Sequence, residues 1–220
     1  GSSGAGAQYT SIQTALDQIP TSSSSTSPNV VVVYPGVYSE NLVINRNGVR
    51  LVGIGRPTIQ SALESTPDAV GCDNTVTIAA GGSTVPQDVI IENFKITNSH
   101  TNKSCVRVVG GSASNVGLSG IHLKDCVLEA NSVAGNRTVW ASSVNTVVVD
   151  GCNLGGASSS SLTYLLEVAD FQMKNSTSYA VSFRWDNSGI LPSQVPVGYS
   201  FQYCPRVGVG SLLTPFEGDL

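Results

Sequence analysis

Along this chain the hydrophobic positions change period once. Between Tyr9 and Ile19, apolar residues recur at Ile12, Ala15, Leu16 and Ile19, the i, i+3, i+4, i+7 spacing of one helix face. Ser11 or Thr10 can cap the start and Pro20 stops the run, so a short helix is predicted over 10–19. After a polar stretch the period becomes that of strands. Val30-Val31-Val32-Val33-Tyr34 comes first, then a Pro35-Gly36 turn and Asn41-Leu42-Val43-Ile44.

From there a loose repeat runs on. Segments beginning at Val49, Val89, Ile121, Val147 and Phe171 each read in-out-in-out, and the last four then reach a turn residue (Asn93, Asp125, Gly151, Asn175). Their starts step by 40, 32, 26 and 24 residues. Further strands lie between them at Val76–Ala79, Val106–Val109, Val139–Ala141 and Leu165–Val168. The economical architecture is all-β: a solenoid whose rungs of three short strands stack about 4.8 Å apart through parallel hydrogen bonds. It makes two checkable demands. Cys126 and Cys152 share an inward position and must stack. The fourth, outward position reads Glu92, Lys124, Asp150, Lys174, alternating in sign as a stacked row requires. Asn and Asp at the bends suit left-handed backbone. An antiparallel sandwich is the competing fold, but it wants more two-residue Asn-Gly or Asp-Gly turns than the chain offers.

Composition sharpens this. The 220 residues carry 11 Lys+Arg and 15 Asp+Glu, so only 12% are charged, against roughly 25% in an ordinary domain. With a net charge of −4 and no basic cluster, nucleic acid is a poor partner. No apolar run reaches the roughly 18 residues that membrane insertion needs. The chain does not begin with Met and shows no signal-peptide pattern, which reads as a processed product or a fragment. Its five cysteines form no C-x-x-C, and His100 and His122 do not stand at metal spacing with them. No metal and no cofactor are therefore expected, and the cysteines read as small buried residues. A charge-poor, Ser/Gly/Val-rich β protein points to an extracellular or virion-surface location.

The opening carries a resemblance. Ser11-Ile12-Gln13-x-Ala15-Leu16, then Val31-Val32-Val33-Tyr34-Pro35-Gly36-Val37-Tyr38-x-Glu40-Asn41-Leu42-Val43-Ile44 and Val49-x-Leu51-Val52-Gly53, resembles the first coils of the pectin lyase-like superfamily. The close match covers about residues 9–60. It implies a single-stranded right-handed parallel β-helix whose open end is capped by the helix, with about five to seven rungs. Residues 1–8 would be a flexible segment or tag remnant, 9–190 the β-helix, and 191–220 a C-terminal cap or oligomerisation segment. Two branches share this opening: pectin methylesterases with related carbohydrate-active enzymes, and bacteriophage β-helical spikes and fibres. The esterases want two aspartates and an arginine in a groove, one segment reading like Asp-Phe-Ile-Phe-Gly. Here Asp170-Phe171 continues as Gln172, and Gly55-Arg56-Pro57 comes too early and leads to Thr58. Polygalacturonase and pectate lyase patterns are missing as well.

Individual residues carry competing roles. A carboxylate pair for glycosidic chemistry must stand some 5–10 Å apart, which leaves Asp125, Asp150 and the nearby Glu129. Against them, Asp150 has ladder lysines and Asp125 holds a bend. His122 points outward as a possible base or ligand contact. Trp140, also outward and one rung from Arg107, suits either cation–π stacking or a sugar platform. Val181, Phe183 and Trp185 alternate to one side as core. Asn102, Asn136 and Asn175 open Asn-x-Ser/Thr sequons. With enzyme motifs missing and charges assigned to stacking, the expectation is a non-catalytic structural or adhesion module. It would be a phage or virion spike, fibre or decoration protein, a homotrimer or part of a larger assembly, touching a polysaccharide or cell-surface glycan. The alternative is an extracellular carbohydrate-active enzyme: a polysaccharide lyase, hydrolase or esterase.

Overall fold

The computed structural model describes residues 8–20, 27–61, 74–79, 87–100, 102–110, 119–131, 136–156, 161–179, 181–186 and 198–203. The expected segments 1–8 and 191–220 lie almost wholly outside these residues. So do the side chains of Val181, Phe183 and Trp185, and Cys72 and Cys204.

Among the described residues one short helix, α1 (Ile12–Asp17), precedes seventeen strands. They follow one another in rungs of three. The first holds β1 (Asn29–Val33), β2 (Val37–Ser39) and β3 (Leu42–Ile44), and the second β4 (Val49–Gly53), β5 (Thr58–Gln60) and β6 (Val76–Ala79). The third is β7 (Gln87–Glu92), β8 (Lys95–Asn98) and β9 (Ser104–Val109). In the fourth, β10 (Ser119–Lys124) and β11 (Val127–Ala130) lead into the first half of β12 (Arg137–Asp150). The second half of β12, β13 (Asn153–Gly156) and the first half of β14 (Ser161–Lys174) make the fifth. The second half of β14, β15 (Thr177–Tyr179) and β16 (Val181–Asp186) make the sixth, and β17 (Gly198–Gln202) opens a seventh.

Every described pairing between strands is parallel, which rules out the sandwich. The chain is a single-stranded right-handed parallel β-helix, the hand that parallel crossovers adopt. The register reproduces the sequence steps: Arg50 pairs with Ile90, Ile90 with His122, His122 with Val148 and Val148 with Gln172. Inward side chains form one continuous core, with Leu51, Ile91, Leu123, Val149 and Met173 stacked and almost wholly buried. Each such aliphatic contributes about 1.5–3 kcal/mol by leaving water.

The bends explain the turn residues. Asn93, Asp125, Gly151 and Asn175 have φ of 61°, 52°, 64° and 48°. Each donates its backbone N–H to the next rung: Asn93 to Lys124 O, Asp125 to Asp150 O, Gly151 to Lys174 O and Asn175 to Gln202 O. Just past the bend, Cys126 and Cys152 are buried free thiols, and the Cys126 N–H points at Cys152 Sγ at 3.4 Å. Ser176 continues the column, its Oγ accepting from Cys152 N at 3.0 Å. In these three rungs a small side chain that can both donate and accept follows the bend, where the preceding rung has the buried Phe94.

The helix is shorter than the 10–19 expected. Glu40 is the reason at its start, accepting from Ser11 Oγ, Ile12 N and Gln13 N at 2.9, 3.1 and 3.0 Å. At the far end Gln18 and Ile19 bond back only three residues, to Ala15 O and Leu16 O, so the last turn tightens. Gln13 reaches the first rung, its side-chain amide pairing with Val43 N and O at 2.8 and 3.1 Å. The cap thus occupies part of an edge that would otherwise invite pairing.

Candidate functional site

Two outward rows of charge stand on different faces, and they are built differently. On the face formed by β4, β7, β10 and the second half of β12, Glu92 receives Arg50 Nη2 at 2.7 Å and Lys124 Nζ at 3.1 Å. These two cations hold the Glu92 carboxyl below the ordinary carboxylate value, the Arg50 hydrogen bond being the largest cause. Lys124 is in register with both Glu92 and Asp150, and Asp150 with Lys174. The alternating row exists, and Arg50 extends it by one cation.

The catalytic candidates fall within such stacking. Asp125 is a bend residue whose Oδ1 lies so close over Gly151 that a Cβ there would have to displace it. Asp150 Oδ1 accepts from Asn175 Nδ2 at 2.9 Å. Glu129 lies on another face, in β11, and pairs with Lys95 Nζ at 2.9 Å. His122 is half-buried between Ile90 and Val148 in register, and desolvation holds its pKa below the usual histidine value. It is neutral near pH 7.

The face formed by β3, β6, β9 and the first half of β12 is of another kind. Trp140 stands in register with Arg107, and the Arg107 guanidinium carbon lies 4.4 Å from the indole centroid. A second guanidinium, that of Arg137, lies 4.6 Å from the same centroid. Strict alternation puts Arg137 and Trp140, three residues apart, on opposite sides. The register shift between Arg137 and Val139 removes that constraint, burying Thr138 and Val139 in succession and leaving Arg137 beside the tryptophan.

Polar residues beneath fix these side chains. Arg137 N donates to Lys103 O at 2.9 Å and Arg137 Nη1 to Asn102 O at 3.0 Å. Buried Asn136 donates to Asn98 O, and Asn98 Nδ2 in turn donates to Ser104 O and Thr75 Oγ1. Asn74 Oδ1 takes Ser104 N at 2.9 Å. His122 does not join this cluster. It pairs with the second half of β12, beyond a corner at Ser143 (φ 54°) that packs on Gly110. The structure therefore brings Arg107 and Trp140 together, adds Arg137, and leaves His122 on the neighbouring face. Among the described residues no group of His, Cys, Asp and Glu is arranged to hold a metal ion. No helix among them is long and apolar enough to cross a membrane.

A guanidinium stacked on an indole keeps its positive charge, and guanidiniums favour carboxylates. Two such groups on one ring make an anion-seeking patch. The ring carries the cation–π stacking expected of Trp140 with Arg107, and a second guanidinium joins it.

The fold has relatives among solved structures. A pectin methylesterase from Yersinia enterocolitica is similar over 87% of this chain, with 20% identity and a TM-score of 0.51, and the chain spans 59% of that protein's length. A pectin methylesterase in complex with a hexasaccharide shares 15% identity over 99% of this chain and 91% of its own, TM-score 0.49. The enzyme from Aspergillus niger shares 16% over 97% and 87%, TM-score 0.47. No family model matches the chain, and neither does any curated protein. At such identities the likeness establishes the parallel β-helix alone. It nevertheless corrects the leading functional expectation. The Yersinia enterocolitica structure is a pectin methylesterase, so the non-catalytic phage or virion spike is withdrawn, and with it the leaning away from an enzyme. The physical fault lay in reading missing motifs as missing chemistry. In a solenoid, residues 24–40 positions apart become neighbours, and no linear motif need record them.

Proposed function

We propose that the chain is a carbohydrate-active enzyme of pectin lyase-like type, acting on an acidic polysaccharide held along the face of Arg107, Arg137 and Trp140. The observation that carries this reading is the pair of guanidiniums on one indole, 4.4 and 4.6 Å from its centroid. Two cations side by side favour an acidic polymer over a neutral one, and the indole fixes their planes. The strand rows beside them offer an extended chain a regular track. The Yersinia enterocolitica protein of this fold is a pectin methylesterase, which supports a uronate polymer as the substrate class.

The test is a turnover panel on methylated and unmethylated polygalacturonate, alginate and neutral dextran. Methanol release, unsaturated products and new reducing ends are read separately, one for each reaction type. Turnover on an acidic polymer, lost in Arg107→Ala and Arg137→Ala proteins that still fold, is the expected result. Turnover on dextran alone, or none on any acidic polymer, overturns the reading.

A further inference from the structure

Three sequons occur, and the fold sorts them. Asn136 is wholly buried and spends its side-chain nitrogen on Asn98 O at 3.2 Å, inside the turn network under the patch. A glycan there and the folded rung exclude each other. Asn175 is exposed, but its nitrogen donates to Asp150 Oδ1 at 2.9 Å, and its backbone makes the left-handed bend between rungs. Asn102 differs from both. It is exposed, in a turn of its own with φ 59°, and its engagement in the network is through its backbone carbonyl, which accepts from Arg137 Nη1 at 3.0 Å.

We infer that Asn102 is an acceptor for N-linked glycosylation, and that a glycan there shields the Arg107–Trp140–Arg137 patch. The second half rests on the polysaccharide reading above. In the transfer, Asn102 Nδ2 forms a bond to the anomeric carbon of a lipid-diphosphate-linked oligosaccharide. The bond from that carbon to the diphosphate oxygen breaks, the lipid diphosphate departs, and the amide gives up one proton. Transfer precedes folding, so the hydroxyl of buried Ser104, two residues on, is within reach of the transferase at that stage. Folding then keeps only glycans that the structure tolerates. Because Arg137 bonds to the Asn102 carbonyl itself, a branched sugar leaving that residue stands at the rim of the patch.

The experiment is secretion of the full chain from a eukaryotic host, followed by peptide mapping of the folded fraction after amidase release, which marks each occupied Asn as Asp. Most molecules should be occupied at Asn102 and none at Asn136. An empty Asn102, an occupied Asn136, or higher occupancy at Asn175 than at Asn102 overturns the acceptor assignment. Polygalacturonate affinity is then compared between the glycosylated protein and the unglycosylated Asn102→Gln variant. Severalfold tighter binding by the variant supports shielding, and equal binding overturns it. If neither form binds, the polysaccharide reading fails and the shielding role with it, while the acceptor assignment stands on occupancy.

Discussion

The two charged faces of this β-helix follow opposite rules. Along Arg50, Glu92 and Lys124, opposite charges meet at 2.7 and 3.1 Å. Around Trp140, two like charges converge on a single ring. The first arrangement is what stacking alone demands, since each outward side chain recurs one rung above itself and like charges repel. The second is not required by stacking and exists only because a bulge turns Arg137 outward. Charge alternating along the ladder serves the fold, and two cations gathered on one ring mark the place to look for chemistry.

The contrast can be broken most forcefully at a bend. Gly151 has φ 64° and sits under the Asp125 carboxylate, so Gly151→Val combines backbone strain with a clash. It should cost roughly 2–4 kcal/mol, read as a fall in the urea midpoint. A shift within experimental scatter contradicts the stacked geometry of this column.

Next comes the patch. Trp140→Ala removes the surface that orders both arginines, and binding of an acidic oligosaccharide should weaken by about tenfold or more, the scale of losing desolvated cation–π contacts. The strand core beneath should hold, so circular dichroism should keep its β signature. Unchanged affinity would falsify the role given to the indole.

A smaller effect sharpens the other face. The Glu92 pKa lies below its ordinary value of 4.5, so its ion pairs add stability that is complete above that pH. That stability is lost as pH falls through the lowered value. Glu92→Gln should remove about 1 kcal/mol at pH 7, as a partly exposed pair does. It should also flatten the fall in melting temperature on acidification. Parallel melting curves of both proteins across acid pH would count against the ladder.

Least of all should follow from Asp125→Asn. Asn already holds the equivalent bends at 93 and 175, so turnover should stay within about twofold and stability within about 0.5 kcal/mol. A large loss of turnover at full stability would return Asp125 to the catalytic candidates.

Much of the fold was legible because a solenoid writes itself as repetition. The steps between segments equal the register, the bend residues take positive φ, and Cys126 stacks with Cys152. What escaped was local geometry without a linear sign. The two 14-residue strands β12 and β14 each run through a corner that the sequence divides into separate strands. Arg137 escaped because alternation from Trp140 assigns it to the core, and only the irregularity before Val139 reverses that. Arg107 and Trp140 were within reach because they obey the alternation. The carboxylates looked attractive as pairs on successive rungs, but their partners, Asn175 for Asp150 and Lys95 for Glu129, appear only once the rungs are stacked.

The most direct measurement of the central claim is a calorimetric titration with an oligogalacturonate and with its fully methylated counterpart, at two salt concentrations. It would use the native chain and an Arg107→Ala/Arg137→Ala double variant of equal stability. The account predicts that the native chain prefers the acidic oligomer, that added salt weakens this binding, and that the double variant loses the preference. Equal affinity for the neutral oligomer, or a preference that survives loss of both arginines, would contradict it.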